Sequence, residues 1–533
     1  MTTRNSPPWQ AGAAALFFVL AHLPFVNAPY VNYEWVFAEA AQHLLRGHPA
    51  TALWAFDLKN ANPLLSAVGF AAFQGLLGPY EWAARLFSLG CSAGTVWVLS
   101  FLASVLVGRN RRGVCAWLVA VNPVFLAFCG LAWSDACFFF LLSGVLMLQV
   151  MAIGDKPLWF HIWPAALLAL ACLTKYNAVG AYLGTGLALL ALMWTKQLSA
   201  RRMFGIAGVY AACGVAIVGP YLLWVHAVLG YLLAPGWSTG NFAAQTTTLR
   251  GFVTLFVLRL TAYLLWLGIC VGPLGVLYWG EKRAMSRRAM WRVAVLGAVL
   301  VVVNVLLLKW LASVELSMGS LFGEMELGWI TQVLPESAAL AVEVLLLVVG
   351  QVTTVFFVRW CLHRQGRLMI ALGWFVGLLL VHANVRGSSR YVLVLVLPVC
   401  IFLADLTVRV AARQRALAGL AFGSFVVVSL GLGGFNMAYF AAEGRAAAAL
   451  AAFTNGAHVT GMRVKYGNPV LTHNFYLLDE SVFADNGSPG GPCQFATFSR
   501  TGEIPDVVHV EPVRVLGRVF KRYALTCAVR QHP

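Results

Sequence analysis

Among 533 residues, of which only 11% are charged, a few carboxylates and cations sit between apolar runs. Glu34 lies in "NYEWVFAEAAQHLLRG", Asp135 in "LAWSDACFF", Lys175 in "LACLTKYNAV", and Arg386, Arg390 and Tyr391 in "HANVRGSSRYVL". Lys59 follows Asp57 in "FDLKNANP". A positioned carboxylate takes a proton as a general base. Lysine and arginine hold an anionic group through charge-assisted hydrogen bonds. If these segments meet, the chain carries a base beside an anion site. Each residue also has a plainer reading. Glu34 shares a helical face with Ala38, Ala41 and Leu45 and would mark the wet edge of an amphipathic helix. Asp135 or Ser134 would cap a helix, Lys175 would snorkel to an interface, and Tyr391 would anchor one.

The elements that must position these groups follow from composition. A 60% hydrophobic content and a mean hydropathy of +0.78 exclude a water-soluble globule and imply a polytopic membrane protein. The first apolar run, Ala11 to Val26, is followed by many more, so it reads as a retained helix, not a cleaved signal. The net charge of +17 does not imply a nucleic-acid partner, because the basic residues cluster in short gaps between apolar runs, around 109–112, 196–202, 282–292, 359–367 and 409–415. That is the positive-inside pattern.

Placing those gaps in the cytoplasm predicts spans near 10–27, 82–107, 113–131, 136–153, 158–174, 177–194, 204–224, 251–280, 293–312, 337–358, 368–384, 391–408 and 416–438. That makes an all-α bundle of about 13 transmembrane helices with its amino terminus inside. The run Pro63 to Gly78 is too short to cross and is predicted as an interfacial helix in the first outer loop, 28–81. All the candidate residues then fall at the outer face, and two arginines there, Arg386 and Arg390, run against the positive-inside trend and imply an anion partner. The organisation predicted is a membrane domain over 1–440 and a small extracytoplasmic α/β domain over 441–533, where Gly, Pro, Asn and Asp turns alternate with strand-like runs. Cys493 and Cys527 are the only cysteines in this tail and are expected to form a disulfide, with two buried thiols as the alternative.

Several segments together resemble the GT-C membrane glycosyltransferases that use a polyprenyl-phosphate sugar donor, including the protein O-mannosyltransferase-like and aminoarabinose-transferase-like enzymes. In order, they are "YEWVFAEAAQHLLRG", "NANPLL", "EWAARLFS", "NPVFLAFCGLAWSDACFFFLL", "LACLTKYNAVGAYLG" and "SSRYVLVLVLP", spread over residues 10–410. The family's first outer loop carries an Asp-Glu pair and a Lys/His-Pro-Pro-Leu motif. Here Tyr33 stands at the first acid, and Asn60-Ala61-Asn62-Pro63 replace the second motif.

The resemblance implies transfer of a sugar, with inversion, from a polyprenyl phosphate to an extracytoplasmic acceptor at a bacterial inner membrane. Glu34 is then the first candidate for the base and Asp135 the second carboxylate. Lys175 and Arg390 would hold the departing phosphate, with Tyr391, Lys59 and Arg386 as further donors. No obligatory metal or other cofactor is expected, since His43, His48, His226 and His382 lack ligand spacing. A divalent ion at Glu324 and Glu326 is the alternative to a solvated loop. The partners expected are the lipid-linked sugar, membrane lipid and an acceptor the sequence does not name. A lipid-linked saccharide transporter and a non-catalytic binder are the competing readings, although no internal repeat of the transporter kind is present.

Overall fold

The computed structural model describes residues 9–31, 34–53, 63–153, 156–230, 248–281, 299–307, 309, 335–384, 389–456, 462–463, 493–499 and 507–527. Within them run α1 (Trp9–His22), α2 (Glu34–Leu45), α3 (Leu65–Leu77), α4 (Glu81–Val107), α5 (Arg112–Ala120), α6 (Pro123–Phe128), α7 (Ser134–Ala152) and α8 (Ile162–Cys172). They are followed by α9 (Val179–Trp194), α10 (Ala200–Leu229), α11 (Leu249–Val271), α12 (Glu336–Arg364), α13 (Leu368–Asn384), α14 (Leu393–Ala411) and α15 (Arg415–Gly456). Eight helices among the described residues are long and apolar enough to cross a membrane, and shorter apolar helices accompany them. The chain is a multi-pass membrane protein.

Burial follows residue distribution. The sequence of α14, "LVLVLPVCIFLADLTVRVA", is apolar on every side, and the helix sits buried at the centre of the bundle. In contrast, α10 turns Phe204, Val215 and Leu223 outward, as a lipid-facing helix must. The two short helices between α1 and α4, α2 and α3, have 12 and 13 residues, too few to span.

One predicted span is corrected. The segment 113–131 is not a single helix but α5 and α6, broken at Asn122-Pro123. The proline has no N–H to continue the ladder and starts α6, while the Asn122 side chain accepts from the Val124 and Phe125 amides at 3.2 and 3.3 Å. The Asn122 amide also donates to the Cys270 carbonyl at 3.2 Å, tying the break to the end of α11. Half of the predicted span 293–312 lies outside the described residues.

The α9 and α13 backbones touch through glycines spaced four apart, Gly180 and Gly184 against Gly373 and Gly377. A Cβ on Gly184 would lie 2.7 Å from the Gly373 carbonyl oxygen, and one on Gly377 would land on the backbone of Gly184. Small residues at such crossings let helices approach closely. Gly377→Leu is therefore expected to destabilise the protein by about 3 kcal/mol, because the clash is with backbone that has no flexible end to yield. Thermal unfolding followed by size-exclusion fluorescence checks this, and an unchanged midpoint would contradict the packing.

The last helix, α15, runs without a break through position 440, where the sequence suggests a domain boundary. Its C-terminal portion carries the tail. A four-stranded sheet of order β1-β2-β4-β3 is built from β1 (Met462–Arg463), β2 (Cys493–Ser499), β3 (Val507–Val515) and β4 (Arg518–Cys527). Phe520 packs on Phe435 and Tyr439, and His509 stacks on Phe453 at 3.9 Å. The antiparallel register of β2 and β4 sets Cys493 opposite Cys527. Blocking free thiols without reduction and then mapping peptides by mass spectrometry is expected to find these two joined; alkylation of both would rule the bridge out. The nine cysteines of the membrane region are unpaired thiols.

Candidate functional site

Three separate breaks in the helical ladder deliver charged groups to one place. Asp135 lies in the first turn of α7, where the helix dipole favours a carboxylate. Lys175 lies in the turn between α8 and α9, in an extended conformation (φ −152°, ψ 128°), with its amide donating to the Ala171 carbonyl at 3.0 Å. Arg390 and Tyr391 occupy a short turn, Ser389–Val392, that leads into α14. The Lys175 ammonium donates to Asp135 Oδ1 at 2.6 Å, and Arg390 Nε stands 3.2 Å from Oδ2. Two cations thus bracket one carboxylate, and those three groups sum to one positive charge. Asp135 and Lys175 are buried, while the Arg390 side chain keeps 11% exposure and is the most accessible of the three.

Aromatic rings complete the cluster. Lys175 Nζ lies 4.5 Å from the centre of the Tyr391 ring. The Arg390 guanidinium lies 4.2 Å over Trp133 and 5.5 Å from Tyr391. Such contacts favour cations in a low-dielectric setting. Trp133 is itself wedged against Phe128 and Phe440, so α15 braces the site. Below Tyr391, the buried His382 has its ring 5.6 Å away and its Nδ1 2.8 Å from the Leu378 carbonyl oxygen. That carbonyl can only accept, so Nδ1 donates to it, and among the described residues Nε2 has no hydrogen-bond partner. In the sequence His382 stands as a histidine without ligand spacing, and Trp133 as one aromatic residue of an apolar run. Spacing gave no sign that they would join Asp135, Lys175 and Arg390.

Glu34 belongs to a different cluster. Arg85 Nε and Nη2 donate to its two oxygens at 2.9 and 2.6 Å, the Ala132 amide donates at 2.7 Å and the Val31 amide at 2.8 Å. All four acceptor directions of the buried carboxylate are used. Arg85, in α4, also donates to the carbonyls of Phe25, Val26, Ala28 and Pro29. The pair therefore pins the segment between α1 and α2 to α4 and to the loop just ahead of Asp135. Tyr30 lies beside it, accepting from the Gln74 amide at 3.1 Å, and burial together with the Glu34 charge pushes its hydroxyl above the ordinary range. The helical face that the plainer reading makes a wet edge is enclosed over Glu34, Ala38 and Ala41, and only Leu45 at its end is exposed.

Among the residues predicted for the site, the structure brings together Asp135, Lys175, Arg390 and Tyr391, and sets Glu34 apart. Lys59, Arg386, Tyr33, Glu324 and Glu326 lie outside the described residues.

No protein-family model matches the sequence, and no curated protein matches it either. Solved structures do. The crystal structure of ArnT from Cupriavidus metallidurans bound to undecaprenyl phosphate aligns with a TM-score of 0.54 at 12% identity, covering 98% of this chain and 99% of that one. ArnT from the same organism in the apo state gives 0.44 at 14% identity, covering 98% and 99%. An oligosaccharyltransferase of Archaeoglobus fulgidus, in complex with zinc and sulfate, gives 0.47 at 10% identity over 81% of this chain and 55% of that one. Only the first score exceeds one half, and at 12% identity it is a likeness of fold, extending from end to end of both chains.

Proposed function

We propose, from the GT-C fold that the chain shares with ArnT, that it is a glycosyltransferase moving a sugar from a polyprenyl-phosphate-linked donor to an acceptor hydroxyl. The observation that carries this reading is the meeting of Asp135, Lys175 and Arg390 from three distant segments at one end of the bundle. The basic clusters at the opposite end favour an extracytoplasmic site, at the periplasmic face if the membrane is a bacterial inner membrane.

In this mechanism the donor phosphate exchanges with the Asp135 carboxylate as the partner of Lys175 and Arg390. The carboxylate that the two cations hold in the resting cluster then regains free lone pairs as the donor seats. An acceptor hydroxyl on the opposite face of the sugar attacks its anomeric carbon, and its proton passes to Asp135. The bond from that carbon to the phosphate oxygen breaks, and the electron pair stays on the phosphate, where Lys175 and Arg390 stabilise the growing charge. A single displacement of this kind inverts the anomeric centre. Tyr391 adds a hydroxyl donor next to the same cations, and Lys59 and Arg386 supply further positive charge at this face of the sequence-derived topology. Glu34, saturated by four donors, holds the outer loop and the backbone ahead of Asp135 in place.

Purified protein incubated with a radiolabelled polyprenyl-phosphate sugar and a cell-envelope extract is expected to release free polyprenyl phosphate and to label an acceptor. Tight donor binding with neither cleavage nor transfer would replace this reading with that of a non-catalytic binder. Movement of intact donor across vesicles without cleavage would replace it with that of a transporter.

A further inference from the structure

A second charged cluster, which the proposed transfer does not use, lies at the other end of the bundle. Asp405 is fully buried near the end of α14, about 22 Å along the chain axis from Arg390 at helical rise. It accepts from Arg111 Nε at 3.1 Å, Trp360 Nε1 at 3.1 Å and Arg364 Nη2 at 2.9 Å, with Arg409 Nε 3.1 Å from Oδ2. The three arginines come from the turn ahead of α5 and from the last turns of α12 and α14. One carboxylate gathers three like charges that would otherwise separate.

Charge counting shows that the gathering leaves an excess. The C-terminal ends of α12 and α14 contribute about −0.5 each from their dipoles, which with Asp405 offsets only about two of the three positive charges. Around it, among the described residues, the basic clusters 109–112, 196–202, 359–367 and 409–415 set twelve Lys and Arg against Glu281 and Asp405. Pairing both carboxylates would still leave this end strongly positive. The side chains of Arg111, Arg364 and Arg409 are 20%, 40% and 30% exposed, so an anion can reach them. Their depth is that of lipid headgroups, because α12 exposes Val355 and Leu362 in the turns leading to Arg364, where acyl chains would lie.

We propose that Arg111, Arg364 and Arg409, held on Asp405, form a binding site for the phosphate diester of an anionic phospholipid in the leaflet at this end. Guanidinium forks suit a phosphate diester, and the Arg364 guanidinium, 5.5 Å from the Trp360 ring, is held facing the headgroup layer. A zwitterionic lipid would bring its own cation and gain less.

Native mass spectrometry tests the site on protein in mild detergent given equal amounts of phosphatidylglycerol and phosphatidylcholine. The wild type is expected to retain phosphatidylglycerol selectively, and the Arg364→Gln/Arg409→Gln variant to retain it roughly 30-fold less. Equal retention of both lipids, or unchanged retention in the variant, would overturn the proposal. So would complete displacement by inorganic phosphate alone, which would identify a site for a free anion. Should the double variant fail to fold, a photoreactive phosphatidylglycerol is crosslinked to the wild type. Adducts mapped to 360–364 or 405–413 support the site, and adducts confined to other helices overturn it.

Discussion

Asp135→Asn is expected to lower sugar transfer by about 10³-fold per folded molecule, since it removes the proton acceptor and the group that aligns Lys175 and Arg390. The effect should fall on the turnover number. Asparagine can still accept from Lys175 but carries no charge to balance the buried ammonium, so each rate must be referred to the monodisperse fraction. Lys175→Met and Arg390→Gln act on the other half of the chemistry. They are expected to weaken donor binding about tenfold or more each, and to slow transfer further because the same groups stabilise the leaving phosphate. Transfer assays on all three variants with titrated donor separate the two effects. Wild-type turnover in Asp135→Asn would remove Asp135 from the chemistry.

Glu34→Ala is expected to do its damage through the fold. It would leave the Arg85 guanidinium buried without its carboxylate partner and with two of its six hydrogen bonds gone, at a cost of about 3 to 5 kcal/mol, and would lower the thermal midpoint by on the order of 10 °C. Adding Arg85→Met should recover only part of that stability, because the carbonyls of Phe25, Val26, Ala28 and Pro29 would lose the guanidinium that now donates to them. The isosteric Glu34→Gln separates structure from catalysis. It keeps the shape but only one of the two acceptor oxygens, so the midpoint falls, while activity per folded molecule should stay within about tenfold of wild type. A stable Glu34→Gln protein with transfer abolished would instead make Glu34 the base.

The candidate site was partly legible because ionisable residues in so apolar a chain are few and each demands a reason. Asp135, Lys175 and Arg390 each interrupt an apolar run, and the interruption is what places them at a helix end. What the text could not carry was pairing. The four donors that saturate Glu34 come from positions 3, 51 and 98 residues away, so its helical neighbours suggested a wet edge where the fold builds a buried pin. The break at Asn122-Pro123 was readable from the dipeptide itself, but hydrophobic length alone joined the two halves. Asp405 illustrates the same limit at the other end. An acid inside the span 391–408, one turn ahead of Arg409, was a signal, yet its three arginines seemed to report topology only. The GT-C fold was foreseen because the order of several weak motifs survives even where Tyr33 and Asn60 replace family residues.

The most direct test of the phosphate site is a structure of the protein with polyprenyl phosphate bound, determined in lipid nanodiscs by electron cryomicroscopy. Phosphate density within hydrogen-bonding distance of Lys175 Nζ or the Arg390 guanidinium, with Asp135 released from at least one of them, is the predicted result. Phosphate density elsewhere in the bundle, with the Asp135–Lys175 and Asp135–Arg390 pairs intact, would contradict it.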